Sequence, residues 1–195
     1  MSSVPTDEIY EKYLQKAIIE INELGHEIAG AASGSQVPVL GSGHPLGDIL
    51  LLKYAPQLAE LQEGVAFHGR AGEAIKKSLQ RLRVDALAVY GTNCLKLAGQ
   101  DEEEARPWLE RELHIVQPKL VVVMGEPALT FLNALEFPLA DPLLPEPGTL
   151  QRFTPTVEAL HVPDIDASLD EQAAKTRFWN AFKLVGTWWA ELPPY

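Results

Sequence analysis

The chain has 195 residues, of which 46% are hydrophobic and 22% charged, a composition typical of one globular domain with a sizeable core. Its longest apolar runs, at 49–52 and 120–124, are too short to cross a bilayer, and its single cysteine, Cys94, excludes an internal disulfide and an all-cysteine metal site. The net charge of −11 is the strongest compositional argument against a nucleic-acid partner, because phosphate binding normally depends on clustered Lys and Arg.

The N-terminal third of the chain begins with a helical pattern and ends in an irregular stretch. Apolar residues recur at helical spacing over 6–30, which predicts a long amphipathic helix. A linker follows at 30–36, and "VPVLG" at 37–41 predicts a short buried strand that ends at a glycine. Residues 42–64 read as a loop at first and then show weak helical character.

Helices and strands alternate from residue 71 onward. They are predicted in the order helix 71–83, strand 86–93, helix 101–118, strand 119–125, helix 126–135, strand 157–161 and helix 168–190, with proline-rich sequence at 138–155. This alternation predicts an α/β fold, a three-layer α/β/α sandwich around a central, mostly parallel four-stranded sheet. We expect a single domain over residues 1–195, with the N-terminal helix and linker at 1–36.

Positive charge is concentrated in one segment of this acidic chain. Between residues 68 and 83 there is one acidic side chain and there are five basic ones, namely Arg70, Lys76, Lys77, Arg81 and Arg83. They form either a local surface for nucleic acid or an ordinary solvated helix face.

The ends of the predicted strands identify the candidate site, because ligands of open α/β sheets bind at the carboxyl ends of the strands. The segments at those ends are Gly41–Asp48, Asn93, Gly125–Glu126 and His161–Pro163. A loop with one aromatic residue, Phe67, precedes the basic helix, and we expect it to lie over this crevice.

Asn93 follows a predicted strand directly. Its side-chain amide offers a donor and an acceptor side by side, which is the pattern needed to read a pyrimidine edge with adjacent C=O and N–H groups. The alternative role is that of a turn or helix cap, as for many loop asparagines.

Two histidines and one carboxylate are further candidates. His161 could donate a hydrogen bond to an oxygen that becomes anionic in a transition state, and His44 is a candidate of the same kind. Asp48 is the carboxylate of "GSGHPLGD" and could orient a water or stabilise positive charge on a sugar. Ordinary loop histidines and a helix cap are the structural alternatives. The five histidines show no metal-binding spacing.

Four separated segments resemble the uracil-DNA glycosylase superfamily, nearest to its family 4 class, which usually carries an iron–sulfur cluster. "GVAFHGRAGEAI" is similar to the family's G-x-P-F-V-G-R-A-G-x-x-L, and "VYGTNCLK" is similar to its strand ending in T-N-x-x-K. "ARPWLERELHIVQPKLVVVMGEPA" is similar to the family's C-x-P-Y-L segment with the strand that follows it, and "LHVPDIDA" lies where the family has an H-P-S loop. The resemblance covers about residues 37–186.

The resemblance implies an enzyme that flips uracil out of DNA and hydrolyses its N-glycosidic bond without a cofactor. Phe67 would stack on the flipped base, Asn93 would read the uracil edge, and His161 would stabilise the leaving uracil anion. The predicted site also includes pocket-lining Gly41, Ser42 and Gly43, the catalytic candidates Asp48 and His44, and the DNA-contacting residues Arg70, Lys76, Lys96 and Pro163.

The sequence also departs from the family pattern. The family's first motif is G-E-A-P-G; with "GSGHP" at 41–45 in that place, Ser42 replaces the carboxylate and the spacer to Phe67 is long, so Asp48 would have to supply the acid. Leu97 and Ala105 stand at two positions of the cluster cysteines, so no iron–sulfur cluster and no metal are expected. The third motif reads H-V-P where the family has H-P-S.

Three hypotheses follow from these observations. The first is an active uracil-DNA glycosylase of base excision repair that lacks the cluster, and the second is a homologue that binds damaged or abasic DNA without cutting it. The third is a protein that keeps the fold for a ligand or partner other than DNA, which the charge of −11 favours. No basic and apolar leader opens the sequence, and we expect a cytoplasmic monomer that is not associated with membranes.

Overall fold

The computed structural model describes the backbone of residues 4–193 and the side chains of residues 6–193. Within these residues it contains seven α-helices and six β-strands. In chain order they are α1 (Val4–Ala31), β1 (Ser42–Gly43), β2 (Ile49–Lys53), α2 (Leu58–Glu63), α3 (Arg70–Arg81), β3 (Val89–Asn93), α4 (Glu102–Val116), β4 (Leu120–Met124), α5 (Glu126–Asn133), β5 (Leu150–Thr154), β6 (Val157–Val162), α6 (Gln172–Phe182) and α7 (Leu184–Ala190).

The strands form one sheet in the order β1-β3-β2-β4-β6-β5. The four inner strands are parallel, and the edge strands β1 and β5 are antiparallel to their neighbours. The predicted central, mostly parallel four-stranded sheet is therefore confirmed for the inner strands, but the whole sheet has six. The edge strands escaped prediction because β1 has only two residues and β5 lies in the proline-rich stretch.

Helices cover both faces of the sheet, which confirms the three-layer α/β/α sandwich. Leu50 and Leu52 of β2 pack with α4 and α5 on one face, the α4–α5 layer. Ile49 and Leu51 pack with α3, α6 and α7 on the other face, the α3–α6 layer. All five residues of β2 are buried, as expected for a parallel strand covered on both faces.

The first predicted strand is wrong. Residues 37–41 contribute only an isolated bridge from Leu40 to Val65, whereas the inner strand is β2, inside the stretch that showed no clear pattern. Pro38 has no N–H for a sheet ladder, and the apolar run 49–52 fills a buried parallel strand. The predicted last helix, 168–190, is divided into α6 and α7.

Helix α1 confirms the prediction for residues 6–30 and attaches through its C-terminal half. Leu24 and Ile28 are buried against Trp108 of α4. Ile9, Tyr10 and Tyr13, nearer the N-terminus, are more than half exposed. Within residues 4–193 no helix combines the length and the apolar character that a membrane crossing requires.

A buried ionic network lies between the sheet and α4. The ammonium of Lys96 donates hydrogen bonds to Thr92 Oγ1 at 2.6 Å, to the Asn93 carbonyl at 2.5 Å and to the carboxylate of Glu112. The hydroxyl of Tyr90 donates to the same carboxylate at 2.5 Å. Burial and the Glu112 charge raise the pKa of Tyr90 well above its usual value, so this hydroxyl stays protonated.

We predict that Glu112→Ala lowers the free energy of unfolding by about 3–5 kcal/mol, because it leaves the Lys96 ammonium buried without its carboxylate. Urea denaturation measures the change. The control is Glu104→Ala on the exposed side of the same helix, with an expected change of about 0.5 kcal/mol or less. Equal losses for the two variants would show that the network does not stabilise the fold.

Candidate functional site

The carboxyl ends of the inner strands bring four residues into one row. Lys53 pairs in register with Asn93 on one side and with Met124 on the other, and Met124 pairs with Val162. Residues paired in a parallel sheet project from the same face, and Met124 and Val162 belong to the α3–α6 layer. Lys53 and Asn93 therefore project into that layer too.

The carboxylate of Glu60, on α2, holds the site together. Its Oε1 accepts hydrogen bonds from the Phe67 backbone N–H at 2.7 Å and from Asn93 Nδ2 at 3.1 Å. Its Oε2 accepts from the Gln57 backbone N–H at 2.6 Å and from Lys53 Nζ at 2.6 Å. Only 1% of Glu60 is exposed, so one buried carboxylate positions the aromatic loop, the amide and the ammonium.

Phe67 is fixed by close approach of the backbone at two glycines. Its own φ of 63° is left-handed, an uncommon conformation for a residue with a side chain. A Cβ on Gly72 would collide with the Phe67 carbonyl oxygen, and a Cβ on Gly91 would lie 2.7 Å from Phe67 Cδ2. The phenyl ring therefore lies directly over the backbone of β3, two residues before Asn93.

The side chain of Lys53 occupies the space beside this ring. Its Nζ donates to the Ala55 carbonyl at 2.9 Å and to Glu60, and it lies 3.1 Å from Asp166 Oδ2. The same nitrogen stands over the phenyl ring of Phe67, 5.6 Å from its centroid. Burial raises the pKa of Asp166, and the Lys53 ammonium opposes that rise.

Asn93 is completely buried, and one end of its amide is unsatisfied. Nδ2 donates to Glu60, whereas Oδ1 has no hydrogen-bond partner within the described part of the chain. A buried polar atom without a partner costs free energy and is uncommon in folded proteins, so this oxygen marks the location as a candidate ligand site.

His161 does not join Phe67 and Asn93. It lies inside β6, between Leu160 and Val162, which both project into the α3–α6 layer. Because successive strand residues alternate, the imidazole projects into the opposite, α4–α5 layer, where Nδ1 lies 3.2 Å from the Val123 carbonyl oxygen. Burial lowers the pKa of His161 and favours the neutral ring.

The segment Gly41–Asp48 precedes an inner strand instead of following one, so its predicted position at the carboxyl edge is wrong. Asp48 lies at the amino end of β2, where its carbonyl accepts from the Lys119 and Leu120 N–H groups. It is five residues from Lys53, or about 16 Å along an extended strand. The N–H of His44 donates to the Val89 carbonyl at the amino end of β3.

The other members of that segment lie nearer to the aromatic loop. Gly41 packs so closely against Tyr90 that a Cβ at this position would collide with the tyrosine hydroxyl. Ser42 and Gly43 form β1, and Ser42 Oγ donates to the Ala66 carbonyl at 2.9 Å. Ser42 and Gly43 line a groove of about 520 Å³ between β3 and α3, with Phe67 as one wall.

Because β2 is the first inner strand, the family's first motif aligns with the end of β2 and not with residues 41–45. The segment that begins with the last residue of this strand is "KYAPQ" at 53–57, which shares Ala-Pro with the G-E-A-P-G pattern. Tyr54 therefore stands at the motif position that was assigned to Ser42. The Tyr54 hydroxyl donates to Glu102 Oε1 at 2.6 Å. This hydrogen bond, together with burial, raises the pKa of Tyr54 to about 12.

The residues predicted to contact DNA have different environments. Arg70 is 70% exposed and pairs with Asp170 at 2.7 Å; Lys76 is exposed on α3; and Pro163 is partly exposed just after β6. Lys96 is fully buried, and its ammonium is bonded to Thr92, Asn93 and Glu112. This placement does not fit a contact between Lys96 and a phosphate.

The chain does not fit an iron–sulfur cluster. Leu97 and Ala105 are buried, and Ala105 packs in the apolar core. The single cysteine, Cys94, is also buried, and burial raises the pKa of its thiol. Among the described residues, no three His, Cys, Asp or Glu side chains are grouped so that they could hold a metal ion.

Comparison with known proteins identifies the family of the chain. The sequence model described as "Uracil DNA glycosylase superfamily" matches residues 40–183, and the chain therefore belongs to that superfamily. It is similar to the type-4 uracil-DNA glycosylase of Sulfurisphaera tokodaii, with 29% identity over 48% of this chain and 47% of that protein. It is also similar to the type-4 uracil-DNA glycosylase of Archaeoglobus fulgidus, with 24% identity over 76% of this chain and 80% of that protein.

The matched region thus spans about half the length of the Sulfurisphaera protein and most of the Archaeoglobus protein. Sequence reasoning missed Lys53, Glu60 and Asp166. The signal for the first two was available, since Ala55-Pro56 matches the family motif and Glu60 lies seven residues before Phe67. No sequence signal indicated that Asp166 contacts Lys53.

We predict that Glu60→Ala speeds hydrogen exchange of the Phe67 amide on the order of 10-fold, because this N–H loses its acceptor. Exchange measured by NMR on the folded variant tests this. Glu63→Ala, on the exposed side of α2, is the matched control and should leave the rate unchanged. Full protection of the Phe67 amide in Glu60→Ala would contradict the central role of Glu60.

We predict that His161 makes stability depend on pH. Its pKa is lower in the folded protein than the usual value of about 6.5, so the unfolded chain binds the proton more readily. The stabilisation by the neutral ring is complete above that usual value and is lost as pH falls from about 6.5 towards the folded pKa. Urea denaturation between pH 5 and pH 8 should show a steeper loss in the wild type than in His161→Asn. Parallel curves would exclude this contribution.

Proposed function

We propose that this protein binds DNA on the uracil-DNA glycosylase scaffold and does not hydrolyse the glycosidic bond of uracil by the chemistry that its family resemblance implies. One observation carries the proposal. The two groups that would hold a base, Phe67 and Asn93, are kept together by Glu60, whereas the two groups that would act in hydrolysis are turned away or replaced.

Hydrolysis of an N-glycosidic bond needs help at both ends of the breaking bond. A carboxylate stabilises the positive sugar or orients the attacking water, and a hydrogen-bond donor stabilises the departing base anion. Here Tyr54 stands at the carboxylate position, with its hydroxyl bonded to Glu102. His161 projects from the other face of the sheet. Each missing group costs roughly 10²- to 10⁴-fold in rate.

Exposed positive charge next to the Phe67 loop supports DNA as the partner. Arg70, Lys76 and Lys77 lie on α3, which follows this loop directly. The Arg70–Asp170 pair is solvent-exposed and therefore weak, so a phosphate could replace the carboxylate. The groove between β3 and α3 opens beside Lys76. We further infer a cytoplasmic location, since DNA is the partner that the family implies.

An active uracil-DNA glycosylase is the second candidate. The shared hydrogen bonding of Phe67 and Asn93 to Glu60 favours it, because an enzyme that flips uracil needs an aromatic platform and an amide in one place. In that case excision would proceed with a different acid and without His161.

We predict no alkali-labile strand breaks above background when stoichiometric protein is incubated with uracil-containing single-stranded or duplex oligonucleotides. The same oligonucleotides should bind the protein in fluorescence anisotropy at low salt and dissociate as salt rises, because exposed lysines contact phosphate. Strand breaks would establish the second candidate, and absence of binding at low salt would refute the proposed function.

A pair of charge-reversal variants locates the binding surface. Lys76→Glu/Lys77→Glu removes two exposed positive charges of α3 and should abolish DNA binding. Lys12→Glu/Lys16→Glu makes the same change in net charge on the exposed part of α1 and should bind DNA nearly as well as the wild type. Equal weakening by both double variants would show that only overall charge matters.

A further inference from the structure

We propose that Lys53 closes the base pocket of this protein and determines that no pyrimidine enters it. The inference deepens the proposed function and rests on it in one respect, since it takes Phe67 and Asn93 as the groups that would hold a base. The structure places the Lys53 side chain between these groups and the space that a base would need.

The Lys53 ammonium lies over the face of the Phe67 ring. Two stacked aromatic rings have centroids about 4.5–7 Å apart. Lys53 Nζ stands over the phenyl ring of Phe67 at 5.6 Å from its centroid, which is within the range of a cation–π contact. The ammonium therefore lies over the ring at a distance at which the centroid of a base packed on Phe67 would lie.

The Asn93 side chain is also enclosed by the protein. The amide that would read the base edge is completely buried, and its Nδ2 is already bonded to Glu60. Its Oδ1 is left without a partner among residues 4–193. Lys53, its register partner on β2, is itself 1% exposed, so the amide is closed off from solvent, whereas the Phe67 ring is partly buried and borders the groove.

The acceptors around Lys53 explain why the pocket stays closed. The ammonium has three acceptors, which are the Ala55 carbonyl and the carboxylates of Glu60 and Asp166. If Lys53 swung outward, both carboxylates would lose their counter-charge, and Glu60 would do so in the protein interior. The lysine is therefore a fixed part of the site and not a mobile surface side chain.

The family motif has a glycine where this chain has the obstructing lysine. Lys53 occupies the position of the first glycine of G-E-A-P-G once the motif is placed after β2. A glycine there has no side chain, so that position would leave the face of Phe67 free. Shortening residue 53 is thus expected to create a cavity next to the aromatic ring and the unpaired amide oxygen.

Two substitutions separate the filling of the pocket from the loss of charge. Lys53→Ala and Lys53→Met both remove the ammonium from Glu60, but only Lys53→Ala empties the space, since methionine has nearly the length of lysine. The probe is free 5-fluorouracil, observed by ¹⁹F NMR with wild type and both variants. We expect Lys53→Ala to bind it at least ten times more tightly than the wild type or Lys53→Met does.

Three outcomes would overturn the inference. These are binding by the wild type equal to that of Lys53→Ala, an equal gain in Lys53→Met, and no binding by a Lys53→Ala protein whose circular dichroism shows it folded. If Lys53→Ala does not fold, Glu60→Gln is added to both variants, so that no unpaired carboxylate remains at residue 60, and the comparison is repeated with the same criteria.

The result is independent of the test of the proposed function. The probe is a free base, whereas the proposed function is tested by wild-type protein on oligonucleotides. Failure of the wild type to bind DNA would refute the function and leave the Lys53 comparison to be decided on its own. A folded Lys53→Ala protein that does not bind 5-fluorouracil would refute the inference. DNA binding by the wild type would be unaffected by that result.

Discussion

The buried carboxylate of Glu60 is the interaction on which the rest of the site depends. It accepts from the backbone of Phe67, from the amide of Asn93 and from the ammonium of Lys53, and these groups come from a loop and from two different strands. A buried carboxylate is tolerated only when it is fully paired, so the geometry of all three groups is coupled through it. The same pairing that keeps an aromatic ring and an amide side by side also holds a buried lysine over the ring.

Membership in the uracil-DNA glycosylase superfamily establishes the scaffold. A proposal about function has to rest on the residues of the site. Phe67, Gly91 and Asn93 lie together, as the proposed base site requires. The groups that would act at the breaking bond do not lie with them, because Tyr54 is bonded to Glu102 and His161 projects into the other layer. This difference between the two halves of the site is what supports the proposal of DNA contact without uracil hydrolysis.

Much of the fold, but less of the site, was predictable from the sequence. Periodicity revealed α1, and short apolar runs between helical segments revealed β3, β4 and β6. The equally short run of β2 was missed because it lies in the stretch that reads as a loop and then as a weak helix, and this error placed Asp48 and His44 at the wrong edge of the sheet. The side of the sheet to which His161 projects was predictable from strand alternation, whereas the contact of Asp166 with Lys53 joins residues that are distant in sequence and has no motif.

Direct observation of the Lys53 ammonium tests the account most directly. In a ¹H–¹⁵N NMR spectrum selective for lysine Nζ groups, a buried ammonium with three acceptors exchanges its hydrogens slowly. We expect one such protected signal for Lys53, identified by its loss in Lys53→Met, with a nuclear Overhauser effect to the ring protons of Phe67. Rapid exchange of Lys53 like that of exposed lysines, with no contact to the ring, would contradict a pocket closed through Glu60.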